Sequence, residues 1–194
     1  MRSRHMNLVE ITPDNHDITL NIAYATTDNF TGAPVYRRSA CYLHKKAEKC
    51  LKKASRYAKK LGYRFKIYDA FRPTEAQWIL WNHTPDPMFL ADPRRGSPHS
   101  RGVAVDLTLI DESGKNLEMG TGFDTFHPKS HHGSFDVSPQ AQRNRHLLMG
   151  IMTLSGWDFY QNEWWHYQLF NSQDYPLLSD SVLLDGLMPL NTNM

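Results

Sequence analysis

"SPHSRGVAVD", residues 97–106, places His99 and Asp106 seven positions apart with Gly102 between them. Imidazole and carboxylate are side chains that hold zinc, and two donors of one ion sit only about 3–3.5 Å apart when each bond is near 2 Å. Along one α-helix, seven residues rise by roughly 10 Å, too far for a shared ion. Along a flat strand, positions seven apart point to opposite faces. The two side chains can meet only if the chain turns between them, and glycine permits such a turn. The stretch therefore predicts a turn at Gly102 that runs into a strand, "VAVDLTLI" (103–110). There Val103, Val105, Leu107 and Leu109 alternate with Ala104, Asp106 and Thr108, so Asp106 is expected on the less apolar face beside a small residue.

Further from this strand, both kinds of element are predicted. "ITLNIAY" (18–24) and "YRFKIYD" (63–69) alternate as strands do. From Arg38 to Leu61, apolar or small residues recur at helical spacing through Ala40, Leu43, Ala47, Cys50, Ala54 and Tyr57, and Gly62 is placed to close the helix. Thr74 in "RPTEAQWILWNH" (72–83) is expected to cap a second helix. Ser138 and Pro139 open a third, which runs to about Leu154. Residues 84–98, rich in Pro and Asp, read as a loop, and 111–137 as turns. "WDFYQ" and "EWWHYQLF" read as closing strands. Strands and helices without regular βαβ alternation predict an α+β fold.

A chain of 194 residues with 40% hydrophobic residues is long enough for one domain with a sizeable core. A net charge of only +2 argues against nucleic acid as a partner. Ten of the 22 Lys and Arg fall between Arg37 and Lys60, read here as a solvated helix face. No stretch approaches the ~20 apolar residues of a membrane span. "MRSRHM" (1–6) lacks the apolar core of a secretion signal and reads as a cloning scar. A domain over 7–194 in the cytoplasm is expected, or in the periplasm if a signal peptide once preceded it. Cys41 and Cys50, nine residues apart on the expected helix, would lie roughly 13 Å from each other and are predicted to be free thiols.

"EWWH" supplies Glu163 and His166. Two His, one Asp and an uncommitted Glu fit a catalytic zinc site: three protein ligands, an open position for water, and a base. His99, Asp106 and His166 are accordingly read as the ligands of one zinc per chain, with Glu163 as the base. Glu163 and His166 would face opposite sides of a regular strand, so a bulge or bend is expected there. Taken singly, each pattern also admits a plain structural reading. The His/Asp pair could be incidental, and "EWWH" a buried strand with a satisfied histidine.

"SPHSRGVAVD" matches the pattern SxHxxGxAxD, and "EWWH" the pattern ExxH, of the zinc D,D-peptidases that share a fold with hedgehog signalling domains. Within that group the chain resembles the D-alanyl-D-alanine dipeptidases of the VanX type, known from vancomycin resistance. The likeness runs from about Tyr24 to His166 through "YATTDNFTG", "DAFRP", "HSRGVAVDLTL", "MGTGFD" and "EWWHYQ", in order. "DAFRP" carries Phe71 where the family pattern has tyrosine. The resemblance implies a single α+β domain with a mainly antiparallel central sheet flanked by helices. It also implies the same zinc ligands and base, with Arg72 facing the oxyanion and Asp124, Ser97 and Tyr24 at the substrate's ammonium group. The implied partner is a small dipeptide, D-Ala-D-Ala. From the residues alone, Arg72 could instead be a surface group before a proline, and Asp124 a turn cap after Gly122. Two further readings stay open: a D,D-carboxypeptidase acting on peptidoglycan stem peptides, and a non-catalytic hedgehog-like zinc module. His127, His131 and His132 are read as structural or as outer neighbours of the ligands, because the implied site is complete without them.

Overall fold

In the computed structural model, which describes residues 7–190, β5 (Ala104–Ile110) is the middle strand of a five-stranded sheet. The order is β2 (Ile18–Leu20), β4 (Arg64–Asp69), β5, β7 (His166–Leu169) and β6 (Trp157–Phe159). Only the β2–β4 pair is parallel; the other neighbours run antiparallel. All seven residues of β5 are buried. Its alternation thus marks two covered faces, whereas the sequence suggested one covered and one less apolar face. The reading of residues 1–6 lies outside the described residues.

A second, two-stranded sheet pairs β1 (Leu8–Ile11) with β3 (Cys41–His44), and here the expected helix is corrected. Residues 41–44 are a strand, and after the single turn of α1 (Pro13–His16) the next helix, α2, begins only at Lys45 and ends at Lys60. Ala40, Leu43 and Ala47 do have helical spacing, but the buried Cys41 and Leu43 also alternate with half-buried neighbours. Pairing with β1, a partner thirty residues earlier in the chain, decides in favour of the strand. The His44 ring then accepts the Lys46 backbone N–H and caps α2. Cys41 therefore lies on a strand and Cys50 on a helix, and both are free thiols.

The other corrections are smaller. β2 stops at Leu20, and the chain turns through a 3-10 helix at Ala23–Ala25 that buries Tyr24. In α3 (Thr74–His83) the cap position belongs to Pro73, and the Thr74 hydroxyl donates to the Glu75 carboxylate. α4 (Pro139–Leu154) begins as expected, with the Ser138 hydroxyl accepting the Ala141 N–H at 3.0 Å. α2 packs on β4, α4 packs on β6, and the two helices pack on each other. The core they close includes Phe65, Ile67, Leu107, Leu148, Met152 and Trp157. Each such side chain contributes about 1.5–3 kcal/mol by leaving water. Among the described residues no helix is long and apolar enough to cross a membrane.

Strand register lines up the polar side chains that matter. Asp106 on β5 faces His166 on β7 on one side and Asp69 on β4 on the other. The pairing shifts between Ile67 and Asp69, an irregularity of the kind that re-aims a side chain beside an active site.

Candidate active site

His99 reaches this row from the 3-10 turn His99–Arg101, which ends at Gly102 with φ +69°. A Cβ there would push aside only the movable end of the Leu8 side chain, Cδ2 at 2.5 Å, so it is the left-handed backbone that favours glycine. The turn folds His99 back over the start of β5. Glu163 lies in the turn before β7, where His166 N–H donates to the Glu163 carbonyl, so the expected bend is present.

The three predicted ligands come together. His99 Nε2 lies 3.1 Å from His166 Nδ1 and 3.3 Å from Asp106 Oδ1, and His166 Nδ1 lies 3.1 Å from the same oxygen. All three residues are buried. Their outer partners fix what the converging atoms are. His99 Nδ1 sits 2.7 Å from the Ala70 carbonyl, which only accepts, so the proton is on Nδ1 and Nε2 presents its lone pair. His166 Nε2 meets Gln168 Oε1 at 3.1 Å, which leaves Nδ1 as the lone-pair atom of that ring. Two lone pairs and a carboxylate oxygen at these separations repel one another unless a cation lies among them. The donor set, its spacing and its outer hydrogen bonds fit a divalent metal of the zinc kind.

These groups line a cavity of about 210 Å³, with Tyr24, Arg72, Ser97, Asp124 and Glu163 on its walls. Arg72 is 4% exposed. Its Nε donates to Asp69 Oδ2 at 2.8 Å and its Nη1 to Gln77 Oε1 at 3.0 Å. Nη2 is left turned toward the cluster of His99, Asp106 and His166, 3.6 Å from Asp106 Oδ2. The Tyr24 ring lies under the guanidinium at 5.1 Å, and its hydroxyl donates to Asp124 Oδ2 at 2.8 Å. Burial and the charge of Asp106 push the Asp124 carboxyl up to about 8, with the Tyr24 hydroxyl partly offsetting them. Burial, Asp106 and Asp124 likewise raise Glu163 well above the usual range, and its Oε2 lies 3.8 Å from His166 Nδ1. Ser97 Oγ accepts the His99 N–H at 3.2 Å and is buried. Phe71 is buried in the core and is not among the residues lining the cavity, so the departure from tyrosine does not touch its wall.

Sequence reasoning gave no role to Asp69, Gln77 or Gln168. Asp69 accepts from both Arg72 and the Tyr36 hydroxyl, and so orients the guanidinium. Gln168 follows His166 by two on one strand and therefore shares its face, a signal that was open to reading. His127, His131 and His132 stay outside the cluster of His99, Asp106 and His166. His132 packs on Phe159 and Tyr167, and Tyr167 points to the face of β7 opposite His166. Burial, with Arg145 and His146 adding to it, pulls His132 down to about 4. A free imidazole titrates near ~6.5, so between these values the unfolded chain binds the proton and the folded chain does not. Stability should be intact above ~6.5 and should fall as the pH drops toward about 4, by about 3 kcal/mol from this group. Urea unfolding at pH 7 and pH 4.5 checks this. His132→Phe should show a weaker pH dependence, and an equal dependence in both proteins would refute the neutral buried state.

A profile of peptidase family M15, described as D-ala-D-ala dipeptidase, matches residues 4–182. The chain is 46% identical over 173 residues to the D-alanyl-D-alanine dipeptidase of Escherichia coli K12, covering 89% of this chain and 90% of that one. The proteins of the same name from Enterococcus faecalis and Enterococcus faecium are 32% and 35% identical, each over 83% of this chain and 90% of the relative.

Proposed function

Because the chain belongs to peptidase family M15, the D-Ala-D-Ala dipeptidases, we propose that it hydrolyses D-Ala-D-Ala to two D-alanines, using one zinc held by His99, Asp106 and His166. The observation that carries this reading is the triangle of donor atoms, 3.1–3.3 Å on a side, on the wall of a cavity that also presents an acid, a guanidinium and a second carboxylate. Zinc, when bound, supplies a Lewis acid and lowers the pKa of its water to about 7.

Glu163 is the general base. Its carboxylate, made more basic by burial beside Asp106 and Asp124, accepts a proton from the attacking water and delivers one to the departing amine. Arg72 faces the scissile carbonyl oxygen through Nη2, the nitrogen that Asp69 and Gln77 leave uncommitted. A cation held there by two buried acceptors meets charge that develops only in the transition state. Asp124 takes the substrate's ammonium group, with Tyr24 fixing its Oδ2 and Ser97 lining the cavity beside it. That carboxylate favours a free dipeptide over a stem peptide, whose residue at this position carries no charged amine.

Replacing the base separates metal holding from catalysis. Glu163→Gln should retain zinc at one per chain and lose at least ~10²-fold in kcat, the usual cost of removing a general base. Metal analysis alongside D-alanine release decides it, since zinc and activity disappearing together would make Glu163 a ligand.

A further inference from the structure

Arg145 on α4 is 0% exposed. Apart from burial, which lowers its pKa to about 10, the group acting on it is the Tyr167 phenol; no carboxylate does so among the described residues. All its nitrogens go to backbone carbonyls: Nε to Met119 at 2.7 Å, Nη1 to His131 at 2.8 Å and Nη2 to Lys129 at 2.9 Å. A buried cation without an anion is costly. What this one does with its planar fork is join two stretches of chain, at 119 and at 129–131, that bracket the loop carrying Asp124. The loop has something to hold. Asp124 sits at φ +55°, a left-handed conformation that aspartate adopts more readily than most residues but that still costs more than an ordinary one. A second set of bonds ties the loop to the turn of Glu163. Trp164 donates its backbone N–H to the Ser130 carbonyl and its indole N–H to Thr121 Oγ1, and the Ser130 hydroxyl reaches the Thr125 carbonyl.

We propose that Arg145 is a positioning residue for substrate specificity, fastening both ends of the Asp124 loop so that the carboxylate stands where a dipeptide's ammonium group arrives. The inference rests on the reading of Asp124 as that group's partner. Arg145 touches neither substrate nor metal ligands; it acts through the loop.

Arg145→Lys tests it, because lysine keeps the charge but cannot bond three separated carbonyls from one planar fork. On the zinc-loaded full chain, KM for D-Ala-D-Ala should rise at least ~10-fold with kcat little changed, within the ~10²-fold that a misplacement of about 1 Å can cost. The ratio of kcat/KM between D-Ala-D-Ala and its N-acetyl form should shrink with it. A lower melting temperature with KM and that ratio unchanged makes Arg145 structural only and overturns the proposal, as does a fall in kcat at constant KM. Asp124→Asn run in parallel separates the two levels. A ratio that responds to Asp124→Asn and not to Arg145→Lys rejects this inference alone, and a ratio that responds to neither rejects the role of Asp124. If the lysine variant does not fold, Arg145→Gln, which removes the buried charge and keeps a donor, is read by the same outcomes.

Discussion

Acetylating the amine of D-Ala-D-Ala is expected to lower kcat/KM at least ~10³-fold, a loss of about 4 kcal/mol at ~1.4 kcal/mol per decade. Asp124 is the reason. Its Oδ2 is taken by the Tyr24 hydroxyl, and burial together with Asp106 pushes its carboxyl up to about 8, so near neutral pH it ionises fully only when a cation arrives. A substrate ammonium supplies that cation. The N-acetyl form removes the charge and adds bulk inside a cavity of about 210 Å³, and the Asp124 carboxyl is left protonated, without its ionic partner. Breaking a charge pair from one side costs about 3–5 kcal/mol where it is fully buried and less at the half-buried Asp124, so part of the expected loss falls to the added bulk. Asp124→Asn should narrow the gap, mainly by slowing the free dipeptide. Initial rates on the two substrates check this, and comparable rates in the unaltered protein would favour a carboxypeptidase instead.

Arg72→Ala should lower kcat by roughly 10²–10³-fold with a smaller change in KM, the range for losing one oxyanion partner. The geometry singles out Nη2, since Nε is fixed on Asp69 and Nη1 on Gln77. Arg72→Lys should fare little better, because an ammonium cannot keep both anchors and still present a third donor. Steady-state kinetics on zinc-loaded variants reads the effect. A rise in KM with kcat unchanged would move Arg72 to the substrate's carboxylate.

Much of this site is legible along the chain because its determinants are local. Gly102 needs a positive φ, the residues after it alternate, and together they bring His99 back to Asp106. Glu163 and His166 are three apart, and a bend before β7 suffices to put both in the cavity. Long-range pairing is where local pattern stops. The register that sets His166 beside Asp106, sixty residues away, depends on β5 and β7 pairing. The shifted register of β4 that sets Asp69 against Asp106 leaves no periodic mark in "YRFKIYD". β3 is mistaken for helix because β1, its pairing partner, lies far off in sequence. Arg145 stands in "QAQRNRHLL" like any charged residue on a helix, and only the fold buries it completely.

The central claim, a zinc-dependent dipeptidase, is tested most directly by D-alanine release from D-Ala-D-Ala as zinc is added back to chelator-treated protein. Release should be lost on chelation, return in step with zinc and level off at one ion per chain. Release that persists in protein stripped of metal, or its absence in protein carrying one zinc per chain, would contradict the account.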